Sequence, residues 1–331
     1  IGRIPVKTSR QLQSILDRII QYEKASPAAW MRKALFVADS DPYFEAINEQ
    51  LALNNMPANY RADFFNRSDG KDANIIIDKV NAGTAFTIYI GHGNITSWNG
   101  LLDISDLANL KSSNRPTFLL TLECWNGYFS NPIEEGFSEE FLRAAGGSIG
   151  CLTPVGTGYP YEHRAIAQYF LNGLFSDNNT VLGSAAYAAK LKAYTEGSIS
   201  EDTFWQYIYL GDPATHFHVC AFHLLAPADR SAVGSNTVFT WNGDGFSNFT
   251  VQFSTTPDFN TWETIPVFTF KNQYFPTPLV WFMLNAMAQQ NNQLWWRVGG
   301  IDRQVTFTRD MVIDFQREIS YTQPQSFSIA Q

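Results

Sequence analysis

The sequence contains few cysteines: Cys124, Cys151 and Cys220 are the three in its 331 residues. They allow at most one disulfide, which excludes a disulfide scaffold, and none has the His/Cys spacing of a zinc site. Charged residues make up only 16% of the chain, and the net charge is −8 with no basic run. This balance excludes the electrostatic surface of a nucleic-acid-binding protein. There is also no uncharged apolar run of the ~18 residues that a membrane-spanning helix needs.

Apolar and aromatic residues are what the chain has in quantity. They account for 45% and 15% of the sequence, enough to build a full core in a chain whose length favours one large or two ordinary domains. The first residue is Ile rather than Met, and no signal peptide is visible. We therefore expect the chain to be a processed part of a longer protein, with any targeting segment lost.

The first two-thirds of the chain alternate between helix-like and strand-like patterns. Apolar runs predict buried strands at 33–40, 86–90, 117–123 and 147–153, and 3.6-residue periodicity predicts helices at 9–24, 43–54, 72–81, 136–145, 161–174 and 183–196. Ser9 is the expected cap of the first helix. Strands that alternate with helices predict an α/β domain over 1–219, with a mostly parallel sheet covered by helices on both faces.

After residue 220 the pattern changes to short alternating strands with turn residues between them. TVFTW, FTVQFS, IPVFTF, the YFPTPLVWF segment, QLWWRVGG and VIDFQ all fit this pattern. We therefore predict an all-β sandwich of antiparallel strands, with a C-terminal tail, over 220–331. Of its aromatic residues, Trp241, Phe253 and Trp296 are expected in the core, whereas Trp262, Trp281 and Trp295 are candidates for a sugar-stacking surface.

His92 and Cys124 stand out because each follows directly on a predicted strand of the parallel sheet. Functional residues of such sheets lie beyond the carboxyl ends of the strands. A cysteine peptidase needs a thiolate, a nearby imidazole and N–H groups that face the developing oxyanion. The N–H groups of Gly93 and Cys124 are the candidate oxyanion donors. The competing interpretation is that Cys124 is a small buried apolar residue and His92 a turn residue.

Five motifs in collinear order over about 1–219 resemble the gingipain-like (C25-type) cysteine peptidases. They are IGRIPVKTSRQLQSILDRIIQYEK, IYIGHGNITSWNG, LLTLECWNGYF, GFSEEFLRAAGGSIGCLTPV and LGDPATHF. The resemblance implies a caspase-like fold with His92 as base and Cys124 as nucleophile. It also implies that the C-terminal domain is an immunoglobulin or fibronectin-III-like module that braces the catalytic one.

The resemblance further implies an S1 pocket that takes a basic P1 side chain. In the arginine-specific members, a carboxylate placed like Asp41 forms the floor of that pocket and would pair with Arg or Lys. Asp41 can equally be the cap of the helix that starts at Pro42, and Asp39 is its nearest competitor for either role. The remaining S1 candidates are Glu123, Trp125, Thr153 and Tyr159. The loop after the first strand is shorter than in the gingipains, so no third catalytic residue is assigned.

Together these features predict a secreted bacterial cysteine endopeptidase, extracellular or at the cell surface, acting on proteins or peptides through a thioester acyl-enzyme. No cofactor is required for that chemistry and no metal ligand is identified, although the family implies structural calcium. We expect no membrane span, no nucleic-acid partner and a larger multidomain context. Two rival hypotheses stay open: a sortase-like transpeptidase or self-processing enzyme, and a catalytically silent surface or binding module.

Overall fold

The structure, a computed structural model, describes residues 1–111, 114–259, 264–307 and 313–330, with only the backbone described at 302–307 and 313–318. The chain divides into two units, Ile1–Val219 and Cys220–Gln331.

The N-terminal unit alternates strands and helices over its whole length. Its strands are β1 Gly2–Arg3, β2 Lys33–Ala38, β3 Arg61–Asn66, β4 Phe86–Ile90, β5 Thr117–Leu122, β6 Ser148–Pro154 and β7 Tyr207–Gly211. Its helices are α1 Ser9–Lys24, α2 Pro42–Asn55, α3 Asn74–Ala82, α4 Phe137–Arg143, α5 Pro160–Phe175, α6 Leu182–Thr195 and α7 Glu201–Gln206. The four predicted strands and six predicted helices are all present. Strand β3 was not predicted, because its sequence RADFFN lacks a clear apolar or alternating pattern.

The strands of this unit form one sheet in the order β1-β7-β6-β5-β4-β2-β3. All neighbouring pairs are parallel except β6 and β7, so the prediction of a mostly parallel sheet is confirmed. Strands β4 and β5 are buried at every position, as expected of strands covered on both faces. Helix α5 contacts α2 and α6, while α4 contacts α1, which gives the sheet two groups of helices.

The first helix starts one residue earlier than the predicted cap implies. Thr8, rather than Ser9, is the N-cap: its Oγ1 accepts from the Gln11 N–H at 3.2 Å, and the Gln11 side chain accepts from the Thr8 N–H at 3.2 Å. This reciprocal capping box satisfies two N–H groups that the helix itself leaves unpaired. The prediction named Ser9 and did not consider Thr8, although adjacent Thr and Ser are both good caps.

The described part of the C-terminal unit contains two sheets and one helix. Its strands are β8 Phe222–Ala226, β9 Ser231–Val233, β10 Phe239–Gly243, β11 Phe249–Ser254, β12 Thr264–Thr269, β13 Gln273–Tyr274, β14 Leu294–Phe307, β15 Ile313–Tyr321 and β16 Gln325–Ile329. One sheet has the order β13-β10-β8, and the other has the order β12-β11-β14-β16-β9, with β15 paired to β14. The pairs are antiparallel except for β16 with β9.

The prediction of an all-β unit is wrong at one segment, because YFPTPLVWF does not form a strand. Helix α8 spans Pro278–Gln290, with Thr277 as its N-cap and Pro278 in its first turn. Thr followed by Pro is a helix-start signal, since Pro lacks the N–H that a first turn leaves unpaired anyway. The run of large apolar residues concealed that signal, because aromatic and β-branched residues also favour strands.

The core of the C-terminal unit is aromatic and aliphatic, and it includes Trp241, Phe253 and Trp296, as predicted. Phe239 lies at its centre, with its ring 5.0 Å from that of Phe253 and 4.9 Å from that of Trp296. Trp281 packs partly buried against this core rather than standing free, and Trp262 lies outside the described residues. No helix in the described part of the chain is long and apolar enough to cross a membrane.

Candidate active site

The pairing of β4 with β5 brings His92 and Cys124 to the same edge of the sheet. Ile90 and Leu122, the last residues of the two strands, are register partners. His92 and Cys124 each lie two residues beyond that pair, and neighbouring strands are ~4.8 Å apart. The Gly91 N–H donates to the Leu122 carbonyl at 3.3 Å, which keeps the two chains together as they leave the sheet.

The imidazole of His92 is exposed, whereas its backbone is held by hydrogen bonds to two side chains. Its ring meets the Phe44 ring edge-on, with centroids 5.5 Å apart. The buried Tyr89 hydroxyl donates to the His92 carbonyl at 2.6 Å. The His92 N–H donates to Oδ2 of Asp39 at 3.4 Å. These contacts fix the main chain of the loop and leave the ring free to meet a substrate.

Asp39, at the end of β2, organises the His92 loop through a set of hydrogen bonds. Its carboxylate is 1% exposed and accepts from the Ser40 N–H, the Arg67 guanidinium and the Asn99 amide at 2.8, 3.0 and 2.8 Å. Burial acts to raise the pKa of Asp39, but the donors from Asn99, Ser40 and Arg67 outweigh it and hold the pKa below its usual range. Asp39 therefore carries a full negative charge beneath this loop at neutral pH.

Asn126 ties the Cys124 loop to the His92 loop. Its side chain is fully buried; Oδ1 accepts from the Trp98 indole N–H at 2.8 Å, and Nδ2 donates to the carbonyls of Asn94 and Ser97 at 2.5 and 3.3 Å. All three partners lie in the loop that follows His92. The amide thus fixes the distance between the two chain segments that carry the candidate catalytic residues.

The N-terminus of α4 joins the same two loops through backbone hydrogen bonds. The Phe137 N–H donates to the Ile95 carbonyl at 2.7 Å, and the Ser138 N–H donates to the Asn126 carbonyl at 3.1 Å. The first N–H groups of a helix have no partner within the helix. Here the two loops supply those partners, so the helix start serves as a rigid support for the site.

Cys124 is half-buried, and its thiol is not ionised by its surroundings. Burial raises the pKa of the thiol, which a nearby N–H of Gly158 only partly offsets. Among the described residues, the ring of His92 makes no direct hydrogen bond to the Cys124 Sγ. Catalytic contacts are often longer in a site without substrate. At rest, the Cys124 side chain is therefore a protonated thiol.

Trp125, directly after Cys124, has a left-handed backbone. Its φ is +70°, which is uncommon for a large side chain and typical of functional turns. Its N–H donates to the Gly156 carbonyl at 3.1 Å, so the loop after β6 runs beside the Cys124 loop. The indole is 37% exposed and lies edge-on to Tyr128 at 5.3 Å.

Apart from Trp125, two of the predicted S1 residues are exposed and two are buried. Tyr159 is 65% exposed and lies next to Gly158, whose N–H approaches Cys124. Asp41 is also exposed, and its carboxylate accepts from the Tyr43 N–H at 2.8 Å as the N-cap of α2. The capping interpretation of Asp41 is confirmed, and this geometry leaves its role in a pocket open.

The other two predicted S1 residues do not present a surface to a pocket. Thr153 is fully buried, and its hydroxyl is hydrogen-bonded to Thr121 at 2.8 Å and to Ser138 at 2.9 Å. Glu123 is 1% exposed, and burial raises the pKa of its carboxyl group well above the usual range. Burial disfavours the charged form of a carboxyl group, so this position gives no support to a negative field in a pocket. Both positions were predicted from motif placement, which does not report side-chain direction.

Sequence reasoning missed the residues that hold the two loops together. Asn126 and Tyr89 attracted no attention, because a buried amide or phenol in a strand–loop sequence has no distinctive spacing. The available signal was a carboxylate, Asp39, at the end of an otherwise apolar strand in the same sheet. Among the described residues, no group of three or more His, Cys, Asp and Glu side chains could hold a metal ion, so no ligand set for calcium can be named.

Known proteins resemble this chain in sequence. Residues 1–218 match the model of Peptidase family C25. Gingipain R2 of Porphyromonas gingivalis is 28% identical over 160 residues, which are 44% of this chain and 21% of that protein. Lys-gingipain of the same organism is 21% identical over 255 residues, 67% of this chain and 14% of that protein. The chain thus spans about a fifth or less of the length of these relatives.

Two solved structures share the fold. The crystal structure of the Arg-specific cysteine proteinase gingipain R has a TM-score of 0.57 at 17% identity and covers all of this chain and 75% of its own. The complex of Porphyromonas gingivalis RgpB pro- and mature domains has a TM-score of 0.56 at 17% identity, covering all of this chain and 76% of its own. At this identity the structures support the fold, and the match over 1–218 supports the family. The chain belongs to Peptidase family C25.

Proposed function

We propose that the chain is a cysteine endopeptidase in which Cys124 is the nucleophile and His92 the general base. The observation that carries the proposal is the buried amide of Asn126, which locks together the two loops that bear these side chains. Holding two reactive groups at a fixed separation removes the entropy cost of bringing them together. A purely structural Cys and His would not need that connection.

In the proposed mechanism, substrate binding brings His92 to the Cys124 thiol, and the imidazole takes the thiol proton. The thiolate attacks the scissile carbonyl, and the negative charge moves to the carbonyl oxygen. His92 then returns the proton to the leaving amine, and water hydrolyses the thioester. The raised pKa of the resting thiol fits a proton transfer that takes place only once a substrate is bound.

The N–H groups of Gly93 and Cys124 are the proposed donors to the oxyanion. Within the described ranges, neither N–H donates to a backbone carbonyl. The Cys124 N–H lies near the Glu123 carboxyl group. Preorganised N–H groups of this kind lower the barrier because they need no rearrangement when the charge develops. Gly93 allows a close approach of the substrate backbone, since it has no side chain.

For specificity, we propose an Arg or Lys at P1, with the exposed carboxylate of Asp41 as its partner. The support is the exposure of Asp41 and the specificity of one protein of similar fold, the Arg-specific cysteine proteinase gingipain R. Trp125 and Tyr159 are the proposed aromatic walls, since both are exposed beside Cys124. An extracellular or cell-surface location and an immunoglobulin-like C-terminal unit remain predictions that follow from the resemblance.

The test is covalent labelling with a peptidyl-Arg chloromethylketone, followed by peptide mapping. Wild type should be labelled at Cys124, and Cys124→Ala should not be labelled. The matched control is Cys151→Ala, because Cys151 is fully buried, its pKa is raised to about 12 by burial, and its loss should leave labelling intact. Folded wild-type protein that reacts with neither this probe nor an uncharged peptidyl chloromethylketone would overturn the proposal in favour of a silent binding module. Product analysis with an added amine acceptor separates hydrolysis from transpeptidation.

A further inference from the structure

His163, near the start of α5, has a buried imidazole that no step of the mechanism uses. The residue is 3% exposed. Its Nδ1 lies 2.6 Å from the hydroxyl oxygen of Tyr207 on β7, in a hydrogen bond. Its Nε2 is buried as well and has no hydrogen-bond partner among the described residues. Nearly all buried polar groups in proteins find a partner, so this exception calls for an explanation.

The ring of His163 packs directly against the backbone of Gly158. A Cβ added to Gly158 would lie 2.6 Å from Cε1 and 2.9 Å from Nε2 of His163. The Gly158 carbonyl is also a polar neighbour of the ring. The edge of the imidazole that carries Nε2 therefore faces the Gly158 peptide, and the contact is possible because residue 158 has no side chain.

The loop that contains Gly158 runs beside Cys124. The Trp125 N–H donates to the Gly156 carbonyl at 3.1 Å, which joins this loop to the residue directly after Cys124. Burial raises the pKa of the Cys124 thiol, and the Gly158 N–H, which lies near the sulfur, acts to lower it. One face of the Gly158 peptide thus meets the His163 ring, while its N–H lies at the proposed nucleophile.

Tyr207 connects His163 back to the strand that precedes Cys124. Tyr207 is 1% exposed, and its hydroxyl lies 3.3 Å from the carbonyl oxygen of Thr121 on β5. The contacts form a closed path through Thr121, Tyr207, His163, Gly158 and Cys124. A peptide held within a closed path keeps one orientation, because the groups on both sides of it are fixed to the same sheet.

The charged and titratable groups around this path do not replace the Gly158 N–H. Burial lowers the pKa of His163 to about 4, against the opposing effect of Glu162 on the same helix, so the ring is neutral at neutral pH. Glu123 acts to raise the pKa of the Cys124 thiol, and the buried phenol of Tyr207 is near both. Among the described residues that act on the resting thiol, the Gly158 N–H is the group that favours the thiolate.

We infer that His163 is a positioning residue for Cys124. Its ring, held by Tyr207, orients the Gly158 peptide so that the N–H donates to the thiolate. The inference rests on the proposed peptidase function. A hydrogen bond to a charged acceptor is stronger than one to a neutral acceptor, so this N–H favours the thiolate that forms when His92 takes the proton. In this role His163 touches no substrate and makes or breaks no bond.

Two substitutions break the path at different links. His163→Phe keeps a ring and removes its nitrogens, whereas Tyr207→Phe removes only the hydroxyl that holds Nδ1. Tyr209→Phe is the matched control, because Tyr209 is buried on the same strand and its hydroxyl donates to the Asp212 carbonyl at 3.1 Å instead. Circular dichroism and thermal unfolding check that each variant folds, and Tyr207→Phe carries the test if His163→Phe does not fold.

The first readout is the rate at which iodoacetamide alkylates Cys124 as the pH is varied, with the modified residue identified by peptide mapping. The thiolate is the reactive form. We expect His163→Phe to move the midpoint of this profile upward by about one pH unit, and to slow alkylation below the midpoint about tenfold. Tyr207→Phe should act in the same direction. The double variant should be no slower than His163→Phe, since both residues act through one path.

The second readout is the hydrolysis of a fluorogenic peptide that carries Arg at P1. The His163 and Tyr207 variants should lower kcat by up to about tenfold with KM within about twofold, because an interaction with charged sulfur acts after the substrate is bound. A merely structural role would change alkylation in the opposite direction. A loosened site exposes the thiol, which lowers its pKa toward the usual value and speeds the reaction.

The inference is overturned if both variants keep the wild-type alkylation profile, if the midpoint moves downward, or if Tyr209→Phe acts as strongly as Tyr207→Phe. These outcomes leave the proposed peptidase function standing when the wild type hydrolyses the peptide. A wild type that hydrolyses no peptide and is not labelled by chloromethylketones overturns the proposed function instead. The iodoacetamide profile still reports in that case whether His163 acts on the thiol, so the two failures are distinguishable.

Discussion

The two units of the chain bury different kinds of side chain. Besides its apolar core, the N-terminal unit buries ionisable and amide groups, among them Asp39, Glu123, Asn126 and His163. In the described part of the C-terminal unit, the buried polar side chains are hydroxyl groups, at Thr250, Ser254, Thr322 and Ser326. Burying a charge or amide is costly unless it is paired, whereas a hydroxyl costs less. The difference indicates that chemistry belongs to the first unit and packing dominates the second.

Strand direction explains where the costly groups lie. In the N-terminal unit the parallel strands β2, β4 and β5 all end at one edge of the sheet, and Asp39, His92 and Cys124 follow those ends. Antiparallel strands, as in β10, β11 and β14, end alternately at opposite edges. A parallel sheet therefore concentrates its strand ends at one place, and the antiparallel unit cannot.

The largest effect on stability is expected from a substitution in the apolar core of the C-terminal unit. Trp296 is fully buried at the centre of the C-terminal core, so Trp296→Ala should lower the free energy of unfolding by about 4 kcal/mol. Chemical denaturation followed by circular dichroism measures the change. Trp205→Ala is the matched control, because Trp205 is 68% exposed and its loss should cost little. Equal behaviour of the two variants would mean that the aromatic core does not hold this unit together.

Among the buried polar groups of the N-terminal unit, Asn126 is expected to matter most for stability. Asn126→Leu should lower the free energy of unfolding by about 3 kcal/mol, because it leaves the Trp98 N–H and two carbonyls buried without a partner. It should also lower kcat by about 100-fold, since the two loops lose their fixed separation. The measurements are unfolding and steady-state kinetics, with the exposed helical Asn54→Ala as control. A stable Asn126→Leu variant with wild-type kcat would remove the main argument for a joined active site.

A smaller effect is expected from acid. Burial lowers the pKa of His163 to about 4, while its Nδ1 and the Tyr207 hydroxyl lie 2.6 Å apart in a hydrogen bond. As the pH falls, the histidine therefore takes up a proton in the unfolded chain before it does so in the folded protein. The contribution of this group to the free energy of unfolding is complete above pH ~6.5 and declines as the pH falls toward 4. When the pH is lowered from 7 to 5, this one group should reduce the free energy of unfolding by about 2 kcal/mol. His163→Gln should reduce the pH dependence of unfolding by that amount, and unchanged pH dependence would contradict the assignment.

The smallest effect separates the two interpretations of Asp41. Asp41 is the N-cap of α2, so Asp41→Ala should lower the free energy of unfolding by about 1 kcal/mol. Asp41→Ser should lower it much less, because Ser is also a good N-cap. If the carboxylate also binds a P1 Arg, both variants should lose labelling by a peptidyl-Arg chloromethylketone relative to an uncharged one. Loss of stability in Asp41→Ala with unchanged Arg preference would leave Asp41 as a cap alone.

The sequence was enough to predict much of the fold and the position of His92 and Cys124 just beyond two strand ends. Apolar runs that end in Gly91-His92-Gly93 and in Cys124 report directly that these residues follow buried strands. Patterns of this kind are local, so they survive without knowledge of the tertiary structure. They failed at α8, where a Thr-Pro start was outweighed by aromatic and β-branched residues, and at β3, which has no clear period.

The supporting contacts of the site were beyond the reach of sequence. Glu123 and Thr153 were predicted to line a pocket and are buried, because the motif gives a position along the chain and not the direction of a side chain. Asn126 was not predicted at all. Its role depends on partners about 30 residues away in the chain, and a single sequence contains no signal that pairs them.

The hydrogen bonds of Asn126 also have a kinetic consequence. They join positions 28 to 32 residues apart, so the chain must close a loop of that length before the amide can bind its partners. The entropic cost of closing this loop precedes any stabilisation by these contacts, whereas local helices form much earlier. During refolding, the return of the proposed peptidase activity should therefore lag behind the return of helical structure. The candidate active site would then be among the last parts of the sheet edge to assemble, and a newly made chain would pass through its early folding stages with the His92 and Cys124 loops not yet joined.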